Sequence, residues 1–297
     1  MKNKKPLSGY IEMFRMMLAI FISLLIVFAI ILLISEAPLE ALGDFVFGPL
    51  TSLRRFGNVI EGMTPLIFTG LAVIILFKPG LFNLSMEGSF FMGMVAACGA
   101  SLVFGLPGKI NLIAAMAFAA LIGGAVCLIP GVLKVKAHAN ELVTSLMINY
   151  ICLYFGLYVI NEFFYDPTQN SSYSYKFPEG TVLENIIDGT RINQGTILAI
   201  LAVVIIWFLV NKTSFGFKAN LVGENNNMAD YCGVKSGKII IITQFVGGIL
   251  AGFGGAAHLF GMFERFQYSA LPGYGWDGVL IAIVAKHKVQ YVPFAAL

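Results

Sequence analysis

The chain has 297 residues, 58% of them hydrophobic and 12% charged, against about 25% charged in ordinary soluble domains. A buried soluble core does not account for that deficit, so the chain belongs in a membrane, with lipid as its solvent. The formal net charge of +3 has no soluble basic face behind it, which excludes nucleic acid as the partner.

A membrane span needs about 20 apolar residues, and runs of that length lie near 16–35, 58–77, 82–104, 110–133, 141–161, 195–211 and 238–262. The first follows basic residues, as a signal peptide would. Met16 to Ile34 nevertheless exceeds the usual h-region of about 7–15 residues, and no small-x-small cleavage pattern follows it. It reads as an uncleaved span. The stretch from Tyr274 to Ala285 is too short to cross alone. It is either the inner end of a span starting near Gln267 or a broken helix lining a cavity. Val289 to Leu297 begins a further apolar stretch. The expected fold is an all-α polytopic transmembrane bundle, one domain over 1–297, with eight crossings and the start of a ninth.

Orientation follows from the Lys and Arg excess of cytoplasmic loops. A cytoplasmic N-terminus places Lys2, Lys4, Lys5, Arg15, Lys78, Lys134, Lys136, Lys212, Lys218, Lys235, Lys238, Lys286 and Lys288 inside. Arg54, Arg55, Lys109, Lys176, Arg191 and Arg265 then fall outside. The chain is expected in the plasma membrane, and the polar segment 215–235 in the cytoplasm. Two external segments stand out. Residues 36–56 carry Glu36, Glu40, Asp44, Arg54 and Arg55, and 162–194 is a long excursion rich in Tyr, Asn and Ser. Connections of that length are functional or disordered, so a docking surface and a solvated linker are both open. Within the excursion, Val182 to Ile187 has the pattern of a short amphipathic interfacial turn.

Catalytic chemistry finds no residues. There is no G-x-x-x-x-G-K-[ST] loop to cradle ATP phosphates and no H-E-x-x-H, and His138, His258 and His287 lie in separate segments as interfacial or packing residues. Cys98, Cys127 and Cys152 fall within spans and Cys232 in the cytoplasm, with neither metal-ligand nor disulfide spacing. No metal or cofactor is expected on this chain.

The spans instead carry glycine and a few polar groups. Gly248 and Gly252 have small-xxx-small spacing, which lets helix backbones approach closely. Glu87 is a carboxylate inside a span, costly unless paired or hydrated. It either bonds helix ends or Asn83, or faces a translocation path. At helical rise it stands only about 10 Å from Leu81. Asn140-Glu141 has the form of an N-cap with a dipole partner, and Asn149, deeper in the same span, can cross-link helices.

The polar island from Phe215 to Gly233 has helix signals of its own. Asn225 or Asn226 suits an N-cap, Met228 and Tyr231 recur at i, i+3 on one face, and Gly233 suits a C′ position. A helix of about two turns is too short to stand alone in water. It needs a partner surface, on another protein or on its own bundle.

These residues carry a resemblance. Gly223, Glu224 and Asn225 followed by Ala229, Tyr231 and Gly233 are similar to the cytoplasmic coupling segment of ribose-permease-like ABC importer membrane subunits, in the branch for nucleosides that works with BmpA-type lipoproteins. Segments 64–72, 80–88, 140–150 and 272–278 fit the same branch in place and order, so the likeness covers about 57–290. It departs where the family commonly has proline, at Asn226, and a basic residue, at Asp230. Chains of the family also continue through further membrane helix, so a truncation at Leu297 is expected. The resemblance implies a transport subunit with no catalytic residue. Its partners would be a cytoplasmic ATPase that holds ATP and Mg, a second permease subunit, and an extracytoplasmic lipoprotein that delivers a small polar solute, a nucleoside in this branch. Gly223, Glu224, Asn225, Met228, Ala229, Tyr231 and Gly233 would couple to the ATPase, and Glu87, Asn149 and Asp277 are the candidates for the path. An ion-driven secondary transporter or channel is the alternative; it leaves the coupling segment unexplained.

Overall fold

A computed structural model describes residues 7–34, 37–169 and 173–297. Lys2, Lys4 and Lys5 of the basic N-terminus and Glu36 lie outside the described residues. The described residues form two compact units, one ending at Phe56 and one running from Gly57 to Leu297.

The first unit holds α1 (Leu7–Ile34), α2 (Pro38–Phe47) and the start of α3 (Leu53–Phe77). Proline opens α2, where its missing N–H has no helical partner to lose. Phe28 and Phe45 meet edge-on, and Arg55 pairs with Asp44 at 3.5 Å.

The second unit continues α3 and adds α4 (Met86–Val103), α5 (Gly108–Ala137), α6 (Glu141–Val159, widening into a π turn over Ile160–Phe164), α7 (Gln194–Lys212), α8 (Ser214–Glu224), α9 (Asn226–Tyr231), α10 (Ser236–Met262), α11 (Tyr274–Val284) and α12 (Val292–Ala296). No strand occurs among the described residues, only two isolated bridges, Tyr165 with Ser174 and Asn185 with Asn193. The all-α polytopic bundle is therefore the fold. Helices α3, α4, α5, α6 with its π turn, α7 and α10 are each long and apolar enough to cross a membrane.

The expected eight crossings and the start of a ninth need correction. Residues 267–273 are not helical, so no span starts near Gln267. α11 instead begins at Tyr274 and bends by 111° onto the chain's last turns. Eleven residues rise about 16 Å, half of a hydrocarbon core about 30 Å thick. The broken helix is the reading that holds. The far end of α11 returns to the end of α3, where the His287 and Phe77 rings lie 6.2 Å apart.

The core gathers where α4, α5 and α10 meet. A Cβ added at Gly252 would stand 2.9 Å from the Gly123 Cα, and one at Gly248 would stand 2.6 Å from the Cys127 Cβ. The two backbones approach too closely here to leave room for a side chain, the arrangement that small residues permit in membranes.

The 162–194 excursion is a folded cap. Tyr175 N donates to Phe164 O, Ser174 N to Phe266 O, Phe177 N to Glu264 O and Leu183 N to Phe260 O. Phe177 stacks edge-on against Phe260, and Asp166–Arg265 and Lys176–Glu264 pair above them. The Thr168 hydroxyl and N–H hold the Asp166 carboxyl below its usual range. The amphipathic turn expected at 182–187 does not form. Leu183 is buried and Asn185 bridges to Asn193, because the backbone here bonds to the cap.

Gly252→Val should lower the stability of the detergent-solubilised protein by about 1–3 kcal/mol through overpacking. A thermal unfolding curve reads this against Gly62→Ala, where an added Cβ meets nothing within 4 Å and no loss is expected.

Candidate coupling surface and mid-bundle junction

The polar island is two helices, α8 and α9, joined at Asn225. Asn225, rather than Asn226, is the N-cap of α9, its Oδ1 accepting from Met228 N at 3.0 Å. At the other end Gly233 takes φ +78, open to glycine at little cost. Gly233 N donates to Asp230 O and Val234 N to Ala229 O, the two bonds of a Schellman stop.

The same helix is held from below. Ala229 is fully buried in an apolar cluster with Leu81, Ala219, Val222, Ile239 and Ile240. The Asp230 carboxylate accepts from both Ser236 N and Ser236 Oγ at 3.0 Å, satisfying a free amide in the first turn of α10. The acidic residue at this position thus ties α9 to α10. With Ala229 turned in, Tyr231 is 92% exposed and Met228 55%. Phe217 of α8 is exposed as well.

α8 is also tied to the turn between α3 and α4. Lys78 Nζ donates to Asn220 Oδ1 at 3.0 Å, and burial pushes the Lys78 ammonium below its usual range. Gly223 lies against the Lys78 carbonyl so closely that any Cβ would collide with it. Gly80 (φ +76) completes the contact, a Cβ there standing 3.2 Å from the Gly223 carbonyl. Glu224 is exposed beside this contact.

Beyond that turn, residues 81–85 are not helical. The estimate of about 10 Å, which assumed helical rise from Leu81, therefore does not apply to Glu87. It is fully buried. Its Oε1 accepts from Gly273 N at 2.7 Å and its Oε2 from Gly275 N, so the carboxylate caps the N-terminus of α11 from another helix. Asn149 performs the corresponding task for α4, its Oδ1 accepting from Gly88 N and its Nδ2 donating to Leu84 O. Asn83 Nδ2 donates to Gln244 Oε1, and Ser145 Oγ accepts from Leu84 N. Asp277, in the first turn of α11, is exposed and lies within electrostatic reach of Glu87. The three path candidates therefore meet at one junction, with Glu87 and Asn149 bonded to backbone and Asp277 facing outward.

Sequence reasoning missed two groups. Glu61 was not separated from the apolar run around it, and His258 was read as a packing residue. Glu61 is 3% exposed in α3, and His258 makes a 2.6 Å bond to the Tyr268 hydroxyl. No group of three or more His, Cys, Asp or Glu able to hold a metal occurs among the described residues.

A family profile described as the permease component of branched-chain amino acid transport systems matches residues 56–295. The chain is 34% identical over 278 residues to a guanosine ABC transporter permease of Bacillus subtilis, covering 90% of this chain and 78% of the relative. It is 30% identical over 292 residues to a nucleoside ABC transporter permease of Lactococcus lactis, covering 95% and 80%. A glucose ABC transporter permease of Haloferax volcanii is 30% identical over 271 residues, covering 88% and 71%. No solved structure matches the chain.

Glu87→Ala should leave the Gly273 and Gly275 amides without acceptors, at about 1–3 kcal/mol each. Hydrogen exchange at those two amides should speed up by tenfold or more, and less in Glu87→Gln, which keeps one acceptor oxygen. Unchanged exchange in Glu87→Ala would mean that the cap does not hold α11.

Proposed function

As a member of the branched-chain amino acid transport permease family, this chain is a permease subunit of an ABC transporter, and we propose that it carries nucleosides inward across the plasma membrane. Relatives at 34% and 30% identity are named for guanosine and nucleosides, and another at 30% is named for glucose. A second permease subunit shares the path, an extracytoplasmic lipoprotein delivers the solute to the capped end, and a cytoplasmic ATPase supplies the work. The N-terminus and the α8–α9 end lie in the cytoplasm.

The observation that carries this reading is the exposure of Tyr231 and Met228 on a helix fixed at both ends and buried at Ala229. Such a surface is stiff enough to transmit a push. Around it, Gly223, Glu224, Asn225 and Gly233 set the path of the backbone, so the ATPase grips Tyr231, Met228 and Phe217. ATP and Mg belong to that partner. Movement passes from α8 through the Gly223–Gly80 contact to the stretch before α4, and from Glu87 to α11. Rocking of one bundle against the other then alternates access. Asp277 faces the path, because a carboxylate facing lipid is costly.

Tyr231→Ala combined with Met228→Ser should leave membrane insertion and bundle stability intact and abolish solute-stimulated ATP hydrolysis by the assembled complex in proteoliposomes. Stimulation at the wild-type level would overturn the docking assignment. For the solute, uptake of labelled guanosine should be blocked by excess unlabelled uridine or guanosine and unaffected by ribose. Uptake blocked by ribose and indifferent to nucleosides would transfer the protein to sugars.

A further inference from the structure

Near the start of α11, one buried nitrogen and one carboxylate lack hydrogen-bond partners among the described residues. Glu61 makes no hydrogen bond and no ion pair within 4 Å among the described residues, although its side chain is buried in an apolar helix; only the fields of Arg191 and Tyr274 reach it. Its carbonyl faces Pro65 one turn on, which has no N–H to give. The contrast with Glu87, whose two oxygens both accept from backbone amides, is direct. A largely buried carboxylate that its own chain leaves without a partner points to a group that arrives from outside the chain.

The second is His258 Nδ1, buried with no partner. The same ring bonds Tyr268 through Nε2 and stands 4.7 Å from Tyr274 and 5.9 Å from Phe90, centroid to centroid. Tyr274 joins the two groups, since it touches the His258 ring and lies in the field of Glu61. Tyr274 and Tyr268 are only partly buried. Aromatic faces beside an unpaired acceptor pair suit a flat heteroaromatic ring with N–H donors on its edge.

We propose that Glu61, Tyr274 and His258 form a recognition station for the base of the transported solute, selective for an edge with two adjacent N–H donors such as that of guanine. The base stacks on Tyr274, its ring N–H and exocyclic amine donate to the two Glu61 oxygens, and His258 Nδ1 bonds a remaining polar atom. A pyrimidine such as cytosine, whose ring nitrogen beside the amine is an acceptor, gives Glu61 one donor group only. This station rests on the nucleoside reading and adds to it the residues that choose among bases.

The test uses the complete transporter in proteoliposomes with saturating loaded binding protein, comparing maximal uptake of guanosine and cytidine. Glu61→Gln, which keeps the volume, should lower the guanosine-to-cytidine rate ratio by about tenfold, the worth of a hydrogen bond to a charged group. A structural role would slow both alike. An unchanged ratio overturns the station while leaving nucleoside transport standing. Failure of the wild type to carry either solute overturns the nucleoside reading, and the station with it. Should Glu61→Gln not assemble, Tyr274→Leu against Tyr274→Phe decides. Uptake lost with leucine and kept with phenylalanine supports stacking, and equal rates in the two overturn it.

Discussion

The structure depends on the bond between the Glu87 carboxylate and the first amides of α11. Inside a membrane no water pairs with a free backbone N–H, so a helix that begins within the bundle is viable only if the protein supplies acceptors there. Glu87 supplies two of them, to Gly273 and Gly275. The N-terminal dipole of α11 in turn suits an acidic group at that place. Each side offsets part of the cost of burying the other.

The same constraint explains the polar side chains around 81–85. A stretch without helical bonding inside the bundle leaves amides and carbonyls exposed to an apolar surround. Asn149, Asn83 and Ser145 answer them from α6 and the stretch itself, while Gln244 of α10 accepts from the Asn83 amide and donates to Leu76 O in α3. Buried amide side chains are suited to this because each carries both a donor and an acceptor. The result is a junction at which α3, α4, α6, α10 and α11 are connected by hydrogen bonds as well as packing.

That junction joins the two ends of the second unit. Toward the α8–α9 end it continues through Gly80 to Gly223 and Asn220; toward the capped end, the segment after α10 is held by the backbone of 174–183. The solute path proposed beside α11 is thus bordered by elements that answer to both surfaces. Relatives named for guanosine, nucleosides and glucose share this chain's family.

Much of this was legible in the sequence for local reasons. Span positions follow from apolar run length, and the caps at Asn140 and Asn225 and the stop at Gly233 depend only on residues within a turn of each other. Asn149 as a cross-link and α11 as a broken helix were readable because a polar group or a short run inside an apolar region has few physical solutions. Tertiary structure alone decided which backbone amides Glu87 meets, 186 residues away in sequence, that Asp230 serves α10, and that the long excursion folds as a cap. It also separated Glu61, left without a partner, from Glu87, fully bonded. Both are single carboxylates in apolar runs. Their difference lies in which distant backbone comes within 3 Å, and one-dimensional spacing holds no record of that.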